Sequence, residues 1–110
     1  MVISKNNVLY VLCRHCLNIM DGWYPYPSTA IAEQLGISLY QARKELKRLK
    51  ELGLVVSTMN CIREEEGTYI MRGYTITEKA KSTTEYKHAY EIEEKVRKEA
   101  FGIGMTKEEQ

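Results

Sequence analysis

Two short amphipathic stretches, "STAIAEQL" and "SLYQARKELKRL", separated only by Gly36 and Ile37, constrain this chain more than any other feature. In the first, Ile31, Ala32 and Leu35 recur on one side, and Ser28 is the expected N-cap. Gly36 closes that helix, because glycine takes left-handed backbone angles without steric cost. Ser38 then caps a third helix, and Gln41 completes a capping box. Two helices joined by so tight a glycine turn form a helix-turn-helix.

At about 100° per residue, Ala42, Leu46 and Leu49 of the third helix lie within about 60° of one another, with Leu39 beside them. This is the packing face. Tyr40, Lys44 and Lys47 project from the opposite face, flanked by Arg43 on one side and by Gln41 and Arg48 on the other. The chain carries a formal net charge of only +1, yet residues 38–50 hold five basic residues and one acid, Glu45. Positive charge is thus segregated onto the helix that a helix-turn-helix offers to a DNA major groove. A charged face held in water is the plainer reading of the same residues. The next segment shifts the balance. Gly53 ends the third helix (38–52), Leu54–Met59 is strand-like, "REEEGT" is a polar turn, and Thr68–Thr77 is a second strand-like run. A helix-turn-helix followed by a β-hairpin is a winged helix: an α+β fold, mostly α, with a three-helix core, a hairpin wing and a long C-terminal helix.

The run "IAEQLGISLYQARKELKRLKELGLV" resembles the second and third helices of bacterial winged-helix transcriptional regulators, including the "GLV" that leads into the wing. "GYTITEKAK" is similar to the Y-x-L-T-x-K-G segment with which MarR-like and PadR-like regulators leave the wing, with Ala80 in place of the usual glycine. The resemblance implies a DNA-reading role for Ser38, Leu39, Tyr40, Gln41, Arg43 and Lys44, and phosphate contacts for Lys47 and Thr29. Gln41 and Arg43 have the chemistry to read adenine and guanine edges, and Arg48 adds positive charge on the flank. The wing departs from the pattern, since its tip carries Glu64, Glu65 and Glu66. Carboxylates are repelled by phosphate, so the tip points away from DNA or only Arg63 and Arg72 approach it.

Before the motif, residues 5 to about 20 are expected to form a first helix with Val8, Leu9, Val11, Leu12, Cys16 and Ile19 on more than one side, and hence buried on more than one side. "DGWYPYPS" breaks it and favours an extended connection whose Trp23, Tyr24 and Tyr26 cover the core. After the wing, Tyr86, Ala89, Ile92, Val96, Ala100 and Ile103 recur at three- and four-residue steps along a helix expected over about 82–101. That stripe either folds back on the first helix or pairs with a second copy, to which Val8 and Val11 would add apolar surface. The favoured organisation is a winged-helix domain at 1–81, a dimerising segment at 82–104 and a disordered polar tail at 105–110.

At 110 residues and 44% hydrophobic content the chain is one globular domain's worth, and no apolar run approaches the ~18–20 residues of a membrane span. The N-terminus shows no signal-peptide pattern, so a cytoplasmic location is expected. Cys13 and Cys16 form a CxxC within helical sequence, and with Cys61 they make an odd count. Packing residues are therefore expected, rather than a disulfide framework or a metal set completed by His15 or His88, and no cofactor is implied. There is no phosphate-cradling glycine loop, nucleophile elbow or acid–base pattern, so no enzyme is expected. Two function classes remain. The favoured one is a homodimeric, sequence-specific regulator of double-stranded DNA; the other is a winged-helix protein-interaction module with the acidic wing as its contact.

Overall fold

The computed structural model describes residues 7–18, 20 and 22–101. Its elements follow in the order α1 (Val8–Leu17), α2 (Ser28–Leu35), α3 (Leu39–Glu51), β1 (Val55–Glu64), β2 (Gly67–Ile76) and α4 (Thr84–Phe101), with a 3₁₀ turn at Glu78–Ser82 before α4. This is a winged helix, mostly helical, with an antiparallel two-stranded wing.

The apolar α1 is the centre of the core. Val8, Leu9, Val11, Leu12 and Cys13 are all buried, against Ile31 of α2, Leu46 and Leu49 of α3, Val55 of β1 and Ala89 of α4. Asn7 opens α1, its side-chain oxygen accepting from the Tyr10 N–H at 3.0 Å. The helix is shorter than the sequence suggests: Asn18 turns to extended backbone and its N–H reaches the His15 carbonyl at 3.1 Å. Residues 5 and 6 and Ile19, expected in this helix, lie outside the described residues.

The N-cap of α2 is Pro27 rather than Ser28. Proline presets the φ of a helix entrance, and the Pro27 carbonyl accepts from the N–H groups of Ala30 and Ile31 at 3.1 and 3.2 Å. At the other end Gly36 sits at φ 68°, a left-handed conformation that favours glycine. The capping box of α3 is present: Ser38 Oγ accepts from the Gln41 N–H at 3.0 Å, and Gln41 Oε1 accepts from the Ser38 N–H at 3.3 Å. Ala42, Leu46 and Leu49 are the buried residues of α3, the face that helical spacing predicts.

The wing strands are longer than their hydrophobic runs. Their ladder continues from Val55–Ile76 to Glu64–Gly67, so the turn shrinks to Glu65 and Glu66. Cross-strand pairs such as Ile62–Tyr69 extend the pairing beyond Met59, since apolar and aromatic partners support a ladder even on a solvated hairpin. At its base the wing gains a third backbone partner. Tyr26 and Tyr74 exchange N–H···O bonds of 3.0 and 2.9 Å, which makes the proline-bounded connection an edge of the sheet. Gly73 permits that approach: a Cβ there would lie 2.5 Å from the backbone carbon and oxygen of Tyr26.

The terminal helix folds back on α1. Ala89 is fully buried, Asn7 Nδ2 donates to Glu85 Oε2 at 3.3 Å, and Arg14 meets the buried Glu93. Val8, Val11 and Ala89, expected at a dimer interface, are therefore interior residues of the single chain, because the stripe satisfies itself on α1. Tyr86 packs half-buried against the same core. Of that expected set, Ile92 is half-buried, while Val96 and Ala100 are exposed. Residues 102–104, including Ile103, and the polar tail at 105–110 lie outside the described residues.

Candidate nucleic-acid interface

With its apolar face locked onto α1, α3 has one orientation available, and its cations face outward. Tyr40 is 73% exposed, and Gln41, Arg43, Lys44, Lys47 and Arg48 are exposed with it. Among the described residues Lys44 and Lys47 take part in no ion pair, so their charge is available to an anion.

Other members of the expected set are already engaged. Arg48 is held by Glu45, one turn back: Nε donates to Oε1 at 3.0 Å and a terminal nitrogen donates to Oε2. That hydrogen-bonded pairing raises the Arg48 pKa, so Arg48 is a paired cation rather than the free one its position suggests. Gln41 was expected to read adenine, yet its amide oxygen is committed to the capping box. Ser38 is the N-cap itself, and Leu39 is half-buried, turned partly toward the core. Thr29 is exposed on the first turn of α2.

Arg43 leaves the helix sideways. Its Nε donates to Ser28 Oγ at 3.4 Å, across the opening of α2. Here the tertiary structure brings together residues that no sequence spacing connects. A groove of about 490 Å³ runs between the start of α2, α3 and the wing, lined by Pro27, Ser28, Thr29, Arg43, Ser57, Thr58, Met59, Arg72, Gly73 and Tyr74. Among the described residues the lining holds two guanidinium groups and several hydroxyls, and no carboxylate. Sequence reasoning found Thr29, Arg43 and Arg72 but not Ser28, Ser57 or Thr58 as their neighbours. Ser57 and Thr58 follow only from the hairpin register, which cannot be read before the turn length is known, and Ser28 only from the packing of α2 beside α3.

The register also sorts the charges of the wing. Successive strand residues alternate faces. Met59 pairs with Arg72 and Arg63 with Thr68, so Arg63 and Arg72 share the face that lines the groove, whereas Glu64 points to the other. Glu65 and Glu66 occupy the turn at the far end.

The cysteines behave in two ways. Cys13 is buried and Cys16 half-buried, its Sγ 3.4 Å from Thr75 Oγ1, but Cys61 is exposed on the wing and packs no core. Trp23 likewise is 61% exposed, while Tyr24 and Tyr26 pack on the buried His15 ring. Among the described residues, no group of three or more His, Cys, Asp or Glu is placed to hold a metal ion, and no helix is long and apolar enough to cross a membrane.

No family model matches the chain, and no curated protein matches it. A crystal structure of the zinc-responsive MarR family member ZitR from Lactococcus lactis is similar in fold, with a TM-score of 0.52 and 24% sequence identity over 91% of this chain. The match covers 60% of that protein's chain, so the present chain spans well under the full length of its neighbour. Among the described residues, four helices and a two-stranded hairpin in this order give the architecture of a MarR-like winged helix with a long C-terminal helix.

Proposed function

We propose that the chain is a sequence-specific double-stranded DNA-binding transcriptional regulator that acts as a homodimer, with α3 in the major groove. The observation that carries this reading is the outward face of α3, where Tyr40, Arg43, Lys44 and Lys47 stand exposed on a helix fixed by three buried side chains. Lys44 and Lys47 act on phosphate, and Tyr40 packs against base edges. The segment 82–104 supplies the dimer contact through the apolar side chains that α4 leaves exposed, Tyr90 and Val96, which are 42% and 46% exposed. A dimer spaces its two α3 helices to match half-sites about one helical turn apart, roughly 34 Å.

The test is selection of genomic fragments by the intact protein, followed by fluorescence-anisotropy titration of the enriched duplexes at two salt concentrations. Lys44→Ala and Lys47→Ala each lower the salt slope by roughly 0.9, on selected and random duplexes alike. No enrichment, together with lysine variants that leave duplex binding untouched, defeats the reading. In that case the wing is the surface to mutate, because Met59, Tyr69 and Ile70 are 60%, 48% and 57% exposed behind the acidic tip. That apolar surface favours the second reading, a protein-interaction module.

A further inference from the structure

We propose that the groove between α3 and the base of the wing is the seat of one sugar–phosphate strand, with Arg43 and Arg72 as its two phosphate contacts; the assignment rests on the DNA-binding reading above. Four facts converge on it. Arg43 and Arg72 line one groove and come from different elements, α3 and β2. Neither takes part in an ion pair among the described residues, and no carboxylate lines the groove between them. Exposed Thr29 and Ser57 line the same groove and offer hydroxyls as donors to phosphate oxygens. Finally, Thr29, Arg43, Ser57 and Arg72 are all exposed, whereas a small-molecule site buries most of its ligand. A groove of this kind fits a strand that passes through it.

The acidic tip does not oppose this. Glu64 pairs with Gly67 and Met59 with Arg72, five residues further down the ladder, which is about 17 Å along the strands. That exceeds the ~8 Å over which exposed charges interact at physiological salt. Arg43 then serves as a phosphate clamp rather than a guanine reader, and the wing contributes through its base rather than its tip.

The test pairs a protein change with a change in the DNA. Arg43→Gln and Arg72→Gln are each expected to weaken duplex binding roughly five- to tenfold at 0.1 M salt and to lower the salt slope by about 0.9. Arg72→Lys, which keeps the charge, recovers most of the loss, and thermal melting of all three variants checks that they fold. A scan of single methylphosphonate substitutions, each of which neutralises one phosphate, should find a position that weakens the intact protein but has no further effect on Arg72→Gln. If Arg72→Gln keeps the affinity within twofold and the slope unchanged while Lys44→Ala weakens binding, the groove assignment falls and the DNA-binding reading stands. Should Lys44→Ala also be silent, both fall. A Glu64→Gln/Glu65→Gln/Glu66→Gln tip that tightens binding by tenfold or more would also overturn the assignment, because the tip would then lie within reach of phosphate.

Discussion

Arg14 Nε donates to Glu93 Oε2 at 2.5 Å, joining α1 to α4 across 79 residues of sequence. Glu93 is almost wholly buried and Arg14 about one-third exposed, so the carboxylate depends on this partner more than the guanidinium does. Arg14 is shared further, a terminal nitrogen reaching the Tyr10 hydroxyl at 3.2 Å. Burial alone would lower the Arg14 pKa; the hydrogen bonds to Glu93 and Tyr10 outweigh it and hold the group above its ordinary value.

This asymmetry makes the first prediction. Arg14→Met strands a buried carboxylate and should cost about 3 kcal/mol, whereas the double change Arg14→Met/Glu93→Leu should cost about 1 kcal/mol or less, because an apolar pair replaces a buried ion pair with little loss. Urea unfolding of the two variants measures both. If the double variant is no more stable than the single one, the loss does not come from a stranded Glu93 carboxylate and the asymmetry is refuted.

Cys13 gives a pH dependence with a definite sign. Burial, aided by nearby Cys16 and Glu85, pushes its thiol up from 9.0 to about 12. The folded chain therefore holds this proton more tightly than the unfolded chain, so the thiol's contribution is fully present below pH 9 and is lost as pH rises toward 12. Between pH 9 and 11 the intact protein should lose about 1.4 kcal/mol per unit more than Cys13→Ala does. Parallel stability curves for the two would refute this. Alkylation of the native protein at pH 8 should meanwhile modify exposed Cys61 first and leave buried Cys13 protected.

Gly73→Ala tests the seam at the base of the wing. Its new methyl group would sit 2.5 Å from the Tyr26 carbonyl, so the connection or the strand must give way. Overpacking of this kind costs about 1–3 kcal/mol. Hydrogen exchange at the Tyr74 N–H, now bonded to Tyr26, should accelerate in the variant. Unchanged exchange would mean that the backbone adapts without opening the bridge.

Val96→Glu addresses the proposed dimer. Val96 continues the stripe of Ala89 toward the end of α4 but is 46% exposed, so a charge there leaves the buried α1–α4 contacts intact while placing a carboxylate on the apolar surface offered to a second copy. Light scattering at tens of micromolar should give a dimer for the intact chain and a monomer for the variant, since a regulator dimer of nanomolar affinity is fully assembled at that concentration. An intact chain that is already monomeric there defeats the prediction.

The local order of elements was legible in the sequence because its determinants are local. A left-handed position at Gly36, a cap at Ser38 answered by Gln41, and Ala42, Leu46 and Leu49 at helical spacing depend on residues three or four apart, and each stands where its chemistry requires. The outward cations of α3 follow from the same periodicity. What periodicity cannot supply is the identity of the partner for an apolar stripe. The stripe through Tyr86 and Ala89 fits a second chain or the chain's own α1 equally well on paper, and Glu93, the acid that seals the intramolecular choice, reads in sequence as one more solvated charge. Arg48 and Lys47 likewise look alike on a helical wheel until Glu45 takes one of them. The groove between Arg43 and Arg72 lies further still from sequence, because it exists only when a two-residue turn fixes the hairpin register and Gly73 lets Tyr26 pair with Tyr74. Caps and periodic faces are set by neighbours along the chain, whereas partners and grooves are set by which surfaces meet once burial of the core has fixed every element in place.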